Sequence, residues 1–261
     1  MTAPGYVHGG SDEREVMRLE KQAAFTSPWI YERFDAASGM RVLDLATGVG
    51  AMAAQLLQRF PGVQLVGIDL SASQLAWARR NHPDLPIARA NGAALPFADR
   101  TFDRVHCSWL LEHVPSAVAV EILRDVRRVL KDGGYCHFTE VDNATFDVEP
   151  SRPAVMKLMQ QLNDAQERGG GDPYVGPKVE GYMRTAGFSR IDSRRKPFDC
   201  TAEDLEFFTG ITVEFAEIFE GLDETVNDAA LIHQAASDLR QLPSVPGSRM
   251  RYAGVIAQAW R

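Results

Sequence analysis

Val42-Leu43-Asp44-Leu45-Ala46-Thr47-Gly48-Val49-Gly50 is a short apolar run that stops at a glycine-rich turn, and Ala51-Met52-Ala53-Ala54-Gln55-Leu56-Leu57 then reads as a helix. A buried strand that hands a bare backbone turn to a helix N-terminus constrains the fold strongly. It is the opening of a parallel α/β unit, and a common seat for a nucleoside-containing ligand. About twenty residues on, Leu65-Val66-Gly67-Ile68-Asp69 reads as a second strand ending in a carboxylate, placed to accept hydrogen bonds from a ribose.

The rhythm continues from there. Strands are expected at 42–46, 64–68, 86–90, 103–107 and 135–141, separated by helices at 51–60, 72–81 and 116–130. The last helix is the clearest: Ala119, Ile122, Leu123, Val126, Val129 and Leu130 follow helical spacing, while Arg124, Asp125, Arg127 and Arg128 point away. Strands alternating with helices imply a mostly parallel sheet covered on both faces. After Val141 the alternation breaks. A helix at 153–167, the tract Gly169-Gly170-Gly171, a helix at 178–186, a strand at 188–197, two helices within 202–240 and a last strand at 251–257 follow. Residues 143–180 and 200–245 read as lid insertions over the ligand end of one domain spanning 1–261. Residues 11–35 read as a helix with Ser11 as N-cap, within an N-terminal segment 1–35.

Bulk properties narrow the partners. A net charge of −7 over 261 residues argues against general nucleic-acid binding. The basic stretch Arg190, Arg194, Arg195, Lys196 reads as a solvated strand edge. Residues 1–14 are polar, with no apolar signal segment, and no run approaches the ~20 apolar residues of a membrane span. Cys107, Cys136 and Cys200 are far apart, odd in number and without metal-ligand spacing, so no metal is expected and a reducing, cytoplasmic setting is the simplest account.

Gly48-Val49-Gly50-Ala51-Met52-Ala53 satisfies a loose dinucleotide pattern, and Tyr174 and Lys178 have the spacing used by some dehydrogenases. Gly176-Pro177 between them breaks the helix that such a dyad needs. Later residues point elsewhere. Ala90-Asn91-Gly92-Ala93-Ala94-Leu95-Pro96-Phe97, then Phe102-Asp103-Arg104-Val105, Leu110-Leu111-Glu112-His113-Val114 and Arg128-Val129-Leu130-Lys131-Asp132-Gly133-Gly134 follow in order. In this order and spacing residues 42–141 resemble class I S-adenosylmethionine-dependent methyltransferases, especially the small-molecule group that includes quinone-biosynthesis enzymes. Tyr6 to Glu15, with Arg18-Leu19 and Gln22-Ala23, also resembles the cofactor-covering segment of some bacterial and fungal members.

That resemblance implies a Rossmann-like α/β fold: a seven-stranded, mostly parallel sheet, helices on both faces, and an antiparallel last strand. It implies S-adenosyl-L-methionine as cofactor and a small-molecule acceptor, while the acidic balance and the lack of a long apolar run lead us to expect no nucleic-acid or membrane partner. Ala46, Gly48 and Gly50 would line the amino-acid portion of the cofactor, Asp69 would hold the ribose and Leu70 would pack on the adenine. Asn91 and Gly92 would read the adenine edge; Asn91 replaces the commoner aspartate, and its amide oxygen still accepts. Ser108 and Trp109 would lie beside the methionine portion. Ala46 stands where the usual pattern has its first glycine.

Further candidates come from the residues themselves. Arg18 and Gln22 share a helical face, and either reads as a cofactor ligand or as solvated surface. Tyr6 reads as a closing aromatic or as packing. Methyl transfer needs a base only when the acceptor must lose a proton. His113 is the candidate base, against the alternative of a histidine bonded to backbone at a helix start. Glu140 and Asp142 are placed to orient a polar acceptor, and His137 reads as packing. Phe146, Met156, Met159, Phe207, Phe208, Phe215 and Phe219 suggest an apolar wall, or ordinary core. A nicotinamide oxidoreductase and a non-methylating cofactor-binding protein remain the alternatives.

Overall fold

Central strands that are buried along most of their length, as Arg41–Leu45 and Phe102–Ser108 are here, need helices above and below them, and the chain supplies both in alternation. The computed structural model describes residues 13–219 and 228–261. Its elements are α1 (Glu13–Ile30), β1 (Arg41–Leu45), α2 (Ala51–Arg59), β2 (Gln64–Asp69), α3 (Ala72–Asn81), β3 (Ile87–Arg89), β4 (Phe102–Ser108), α4 (Ser116–Val129) and β5 (Leu130–Glu149). After these come α5 (Pro153–Arg168), α6 (Val179–Thr185), β6 (Arg190–Cys200), α7 (Ala202–Phe219), α8 (Ala229–Gln241) and β7 (Arg249–Trp260).

The seven strands form one sheet in the order β3-β2-β1-β4-β5-β7-β6. The pairs among β1 to β5 are parallel, and β7 lies antiparallel between β5 and β6. The antiparallel last strand and the seven-stranded Rossmann-like sheet are as expected. Strand order reverses between β1 and β4, so a crevice opens at their C-terminal ends. On α4 the five residues Ala119, Ile122, Leu123, Val126 and Val129 are all buried, with Cys107, Cys136 and Phe138 of the sheet in the same cluster. Val16 and Ala23 of α1 pack on Val49 and Ala51, which fixes α1 across the start of α2. Ser11, the expected N-cap, and Tyr6 lie outside the described residues.

The largest departure from expectation concerns β5. Rather than ending at Val141, it pairs with β7 out to Glu149, opposite Arg249. Between Asp142 and Asp147 the register shifts, with only Tyr252 lying between the β7 partners of those two residues. Thr145 holds this bulge: its hydroxyl donates to the Asp142 carbonyl (2.7 Å) and accepts from the Ala253 amide (2.7 Å). Residues 143–149, expected in an insertion, are therefore strand. A second core cluster grows on this extension, where Phe146 and Val148 meet Val155, Leu158 and Leu162 of α5. Leu205 and Val213 of α7, with Ile232, Ala235 and Leu239 of α8, complete it. The basic stretch on β6 occupies the sheet edge, where Lys196 pairs with Glu32 and Arg194 with Asp192.

Candidate active site

At the end of β1 the backbone turns through three positive φ values, 58° at Ala46, 55° at Gly48 and 85° at Gly50. Glycine adopts these without penalty, whereas Ala46 carries a cost of roughly 1–2 kcal/mol. Asp69 ties this turn to the next strand end: its carboxylate accepts from the Gly48 amide (2.9 Å) and the Ser71 amide (2.8 Å). Burial pushes the Asp69 carboxyl up, and those amides pull it back. The Ala90 amide donates to the Asp69 carbonyl, which brings Asn91 and Gly92 beside Asp69 and Leu70. Leu70 is 46% exposed, an uncovered apolar side chain next to the carboxylate. Asn91 already spends one lone pair of its amide oxygen on the Ala93 amide (2.9 Å).

A cavity of about 290 Å³ opens alongside this turn. Ala46, Gly48, Ser108, Trp109, Arg18 and Gln22 line it, as does His113; Gly50, Asp69, Leu70, Asn91 and Gly92 are not in its wall. Arg18 does not point an unengaged guanidinium inward. Glu15 accepts from both its Nε and Nη2 (2.6 and 2.7 Å), and Gln22 accepts from its Nη1 (2.6 Å).

One cluster escaped the sequence reading. Asp44 on β1 lies in register with His106 on β4. The Asp44 carboxylate accepts from His106 Nδ1 at 2.6 Å, and His106 Nε2 meets the Ser108 hydroxyl at 3.1 Å. Both Asp44 and His106 are buried, and all three residues line the cavity. The second Asp44 oxygen, Oδ2, has no hydrogen-bond partner. A buried carboxylate oxygen without a donor is costly, so this wall is complementary to a ligand carrying N–H groups and positive charge. The sequence did hold a signal: an aspartate and a histidine within strands expected to be buried need partners. This is not a hydrolase triad. The amides after Ser108 that would stabilise an oxyanion are already used, Trp109 on the Thr139 carbonyl and Leu110 and Leu111 on Glu140.

Glu140 is fully buried and outside the cavity wall. Its Oε1 accepts from the Leu110 and Leu111 amides (3.2 and 2.9 Å), and burial together with the nearby Glu112 charge pushes its carboxyl up to about 8. The structure thus places Glu140 behind the turn that carries His113, rather than at the cavity as expected, because its β5 position faces that turn. His113 itself faces the cavity, with Nε2 3.7 Å from Glu112 Oε1. Glu112 is anchored by α5, where Gln166 Nε2 donates to its carboxylate and its carbonyl (both 3.0 Å). His137 packs in the core as expected, stacked near His106, and burial holds its imidazole down at about 3.

The far wall is apolar. Phe25, Trp29, Phe146, Met159, Phe198 and Phe208 contribute to it. Of the residues expected there, Met156 packs in the second core and Phe207 is an exposed ring stacked on Phe25 at 4.8 Å. The side chains of Phe215 and Phe219 lie outside the described residues. Among the described residues no group of three or more His, Cys, Asp or Glu could hold a metal, and no helix is long and apolar enough to cross a membrane.

Residues 42–134 match the family described as "Methyltransferase domain". Demethylmenaquinone methyltransferase of Beutenbergia cavernae is 41% identical over 99 residues, 38% of this chain and 40% of that protein. The chain thus spans well under half of that relative's length. Among solved structures, the cyclase SpnF superposes with a TM-score of 0.57 at 19% identity, covering 93% of this chain and 81% of SpnF. Phosphoethanolamine N-methyltransferase 2 of Haemonchus contortus, in complex with phosphomonomethylethanolamine and S-adenosylhomocysteine, gives 0.55 at 18% identity, covering 97% of this chain and 60% of that protein. These structural likenesses establish the fold.

Proposed function

We propose that this chain, whose residues 42–134 match a family described as a methyltransferase domain, is a class I S-adenosylmethionine-dependent methyltransferase that transfers a methyl group to a small, partly apolar metabolite. The observation that carries this reading is the assembly of Ala46 to Gly50, Asp69 and Asn91-Gly92 at adjoining strand ends, beside a cavity walled by aromatic side chains. S-adenosylmethionine supplies, when bound, a methyl group on a cationic sulfur.

The residues present suit that molecule. The glycine turn would allow close backbone approach, Asp69 would take the ribose hydroxyls, and Leu70, Asn91 and Gly92 the adenine. Asp44 Oδ2, lacking a donor, suits the cationic amino-acid end beside Ser108 and Trp109. Gln22 and Arg18 close this end from α1. Arg18 acts there as an ion pair with Glu15 rather than as a lone cation.

The chain's own contribution to chemistry is alignment and exclusion of water. α1, α5 and α7 cover the cavity and act as its lid. For an acceptor that must lose a proton, His113 is the base, with Glu112 beside its Nε2 to stabilise the imidazolium. Glu140 is a positioning residue that holds the Leu110–Leu111 turn.

Calorimetric titration with S-adenosylmethionine tests the reading. Asp69→Ala is expected to weaken binding about tenfold or more, the worth of one or two hydrogen bonds to a charged group. Unchanged affinity in that variant would remove Asp69 from the site. Tight NAD(P)H binding without S-adenosylmethionine binding would overturn methyl transfer altogether.

A further inference from the structure

Three residues of the cavity form a chain of hydrogen bonds with one direction. The Tyr252 hydroxyl donates to Asn143 Oδ1 (3.3 Å), and Asn143 Nδ2 donates to Asn163 Oδ1 (2.9 Å). All three line the cavity, brought together by the β5 bulge, β7 and α5. Burial, and then the charges of Glu112, Asp142 and Glu140, push the Tyr252 hydroxyl well above its usual range, so it remains a donor. With both amide oxygens engaged as acceptors, the Asn163 amide nitrogen is left to face the cavity as a donor; it makes no hydrogen bond among the described residues. The neighbouring apolar surface comes from Phe146, Met159 and Leu162.

Charge sets a second condition. Asp44 and Glu112 line the same cavity and both are buried. Arg18 is the one Lys or Arg in its wall among the described residues, and Glu15 already pairs with it through two hydrogen bonds. Residues 1–12 and 220–227, which lie outside the described part, contain no Lys or Arg at all. A phosphate or carboxylate acceptor brought here would meet these buried carboxylates, and the one Lys or Arg of the described wall, Arg18, is already shared with Glu15.

We infer that the methyl acceptor is an uncharged molecule with a carbonyl-type oxygen on an apolar frame, and that Asn163, oriented by Asn143 and Tyr252, is the residue that reads that oxygen. This rests on the methyl-transfer reading for the identity of the cavity. A site of this kind selects strongly, because an analogue lacking the oxygen leaves a buried donor unpaired.

The test uses the full chain saturated with S-adenosylhomocysteine. Failure of that first titration would sink the methyl-transfer reading itself, before any acceptor probe is added. Four probes follow by equilibrium dialysis: naphthalene carrying an acetyl, ethyl, carboxylate or phosphate group at the same ring position. The acetyl compound is expected to bind about fivefold or more tighter than the ethyl one, the worth of one neutral hydrogen bond, and at least tenfold tighter than either anion. Asn163→Leu should erase the acetyl-over-ethyl preference and leave S-adenosylhomocysteine affinity unchanged; Tyr252→Phe should reduce that preference. Equal or tighter binding of either anion, no binding of the acetyl compound, or an undiminished preference in Asn163→Leu overturns the inference.

Discussion

Glu140→Gln is expected to flatten the pH dependence of stability between pH 5.5 and 8. The wild-type carboxyl is fully buried, accepts two amides through one oxygen, and has a second oxygen, Oε2, without a partner. Its pKa rises from 4.5 to about 8 on folding. Between those values the folded chain keeps a proton that the unfolded chain has released, so stability falls as pH rises. The favourable contribution is full below pH 4.5 and is lost as pH passes through about 8. At about 1.36 kcal/mol per unit, the wild type loses about 3 kcal/mol between pH 5.5 and 8 on this account. Glutamine retains the accepting oxygen and cannot ionise, so the variant loses none of it. The buried His137 imidazole, held down at about 3, works in the opposite sense as pH falls, but it is common to both chains and drops out of the difference. Guanidinium unfolding at a series of pH values reads this directly, provided the slope m is unchanged. In thermal scans the gap corresponds to about 6 °C or more for a chain of this size. Parallel stability curves for the two proteins would refute the reasoning.

Two further outcomes follow from the site. His106→Phe would leave the buried Asp44 carboxylate without its partner, and a loss of about 3–5 kcal/mol is expected by denaturant titration; the double variant with Asp44→Asn should recover part of it. A Cβ at Gly171 would fall 2.3 Å from the Glu112 carbonyl oxygen and 3.1 Å from Gln166 Cγ. Gly171→Ala should therefore displace the Glu112–His113 turn, lowering turnover of any acceptor more than cofactor affinity.

What could be read from the chain and what could not divide along a physical line. The strands β1 to β4, and α4 with its buried Ala119-to-Val129 stripe, carry periodic apolar patterns that report burial directly. The extension of β5 carries Asn143, Asp147 and a bulge, so its alternation is broken just where strand pairing continues. Asp44, His106 and Ser108 are separated by 62 and 2 positions, and only sheet register brings the first two together. Asn163 and Gln166 look like ordinary polar helix residues until α5 turns them toward the cavity. Glu140 shows the converse: its place near the sheet's ligand end was legible, but not that it faces the Leu110–Leu111 amides. The N-terminal helix is described over Glu13–Ile30 and gives way to a short 3-10 turn at Tyr31–Arg33, short of the expected end at 35.

The ribbon formed where β5 and β7 run on past the strand ends supports the roof as well as the floor, since Phe146 and Tyr252 lie on it and α5 departs from it. Lengthening both strands would raise that roof by roughly 3.3 Å per added residue. Odd increments would turn every inward side chain outward, so the chamber can deepen only in paired steps. Descendants of this architecture should thus accept molecules of graded length, each grade set by two residues in each strand.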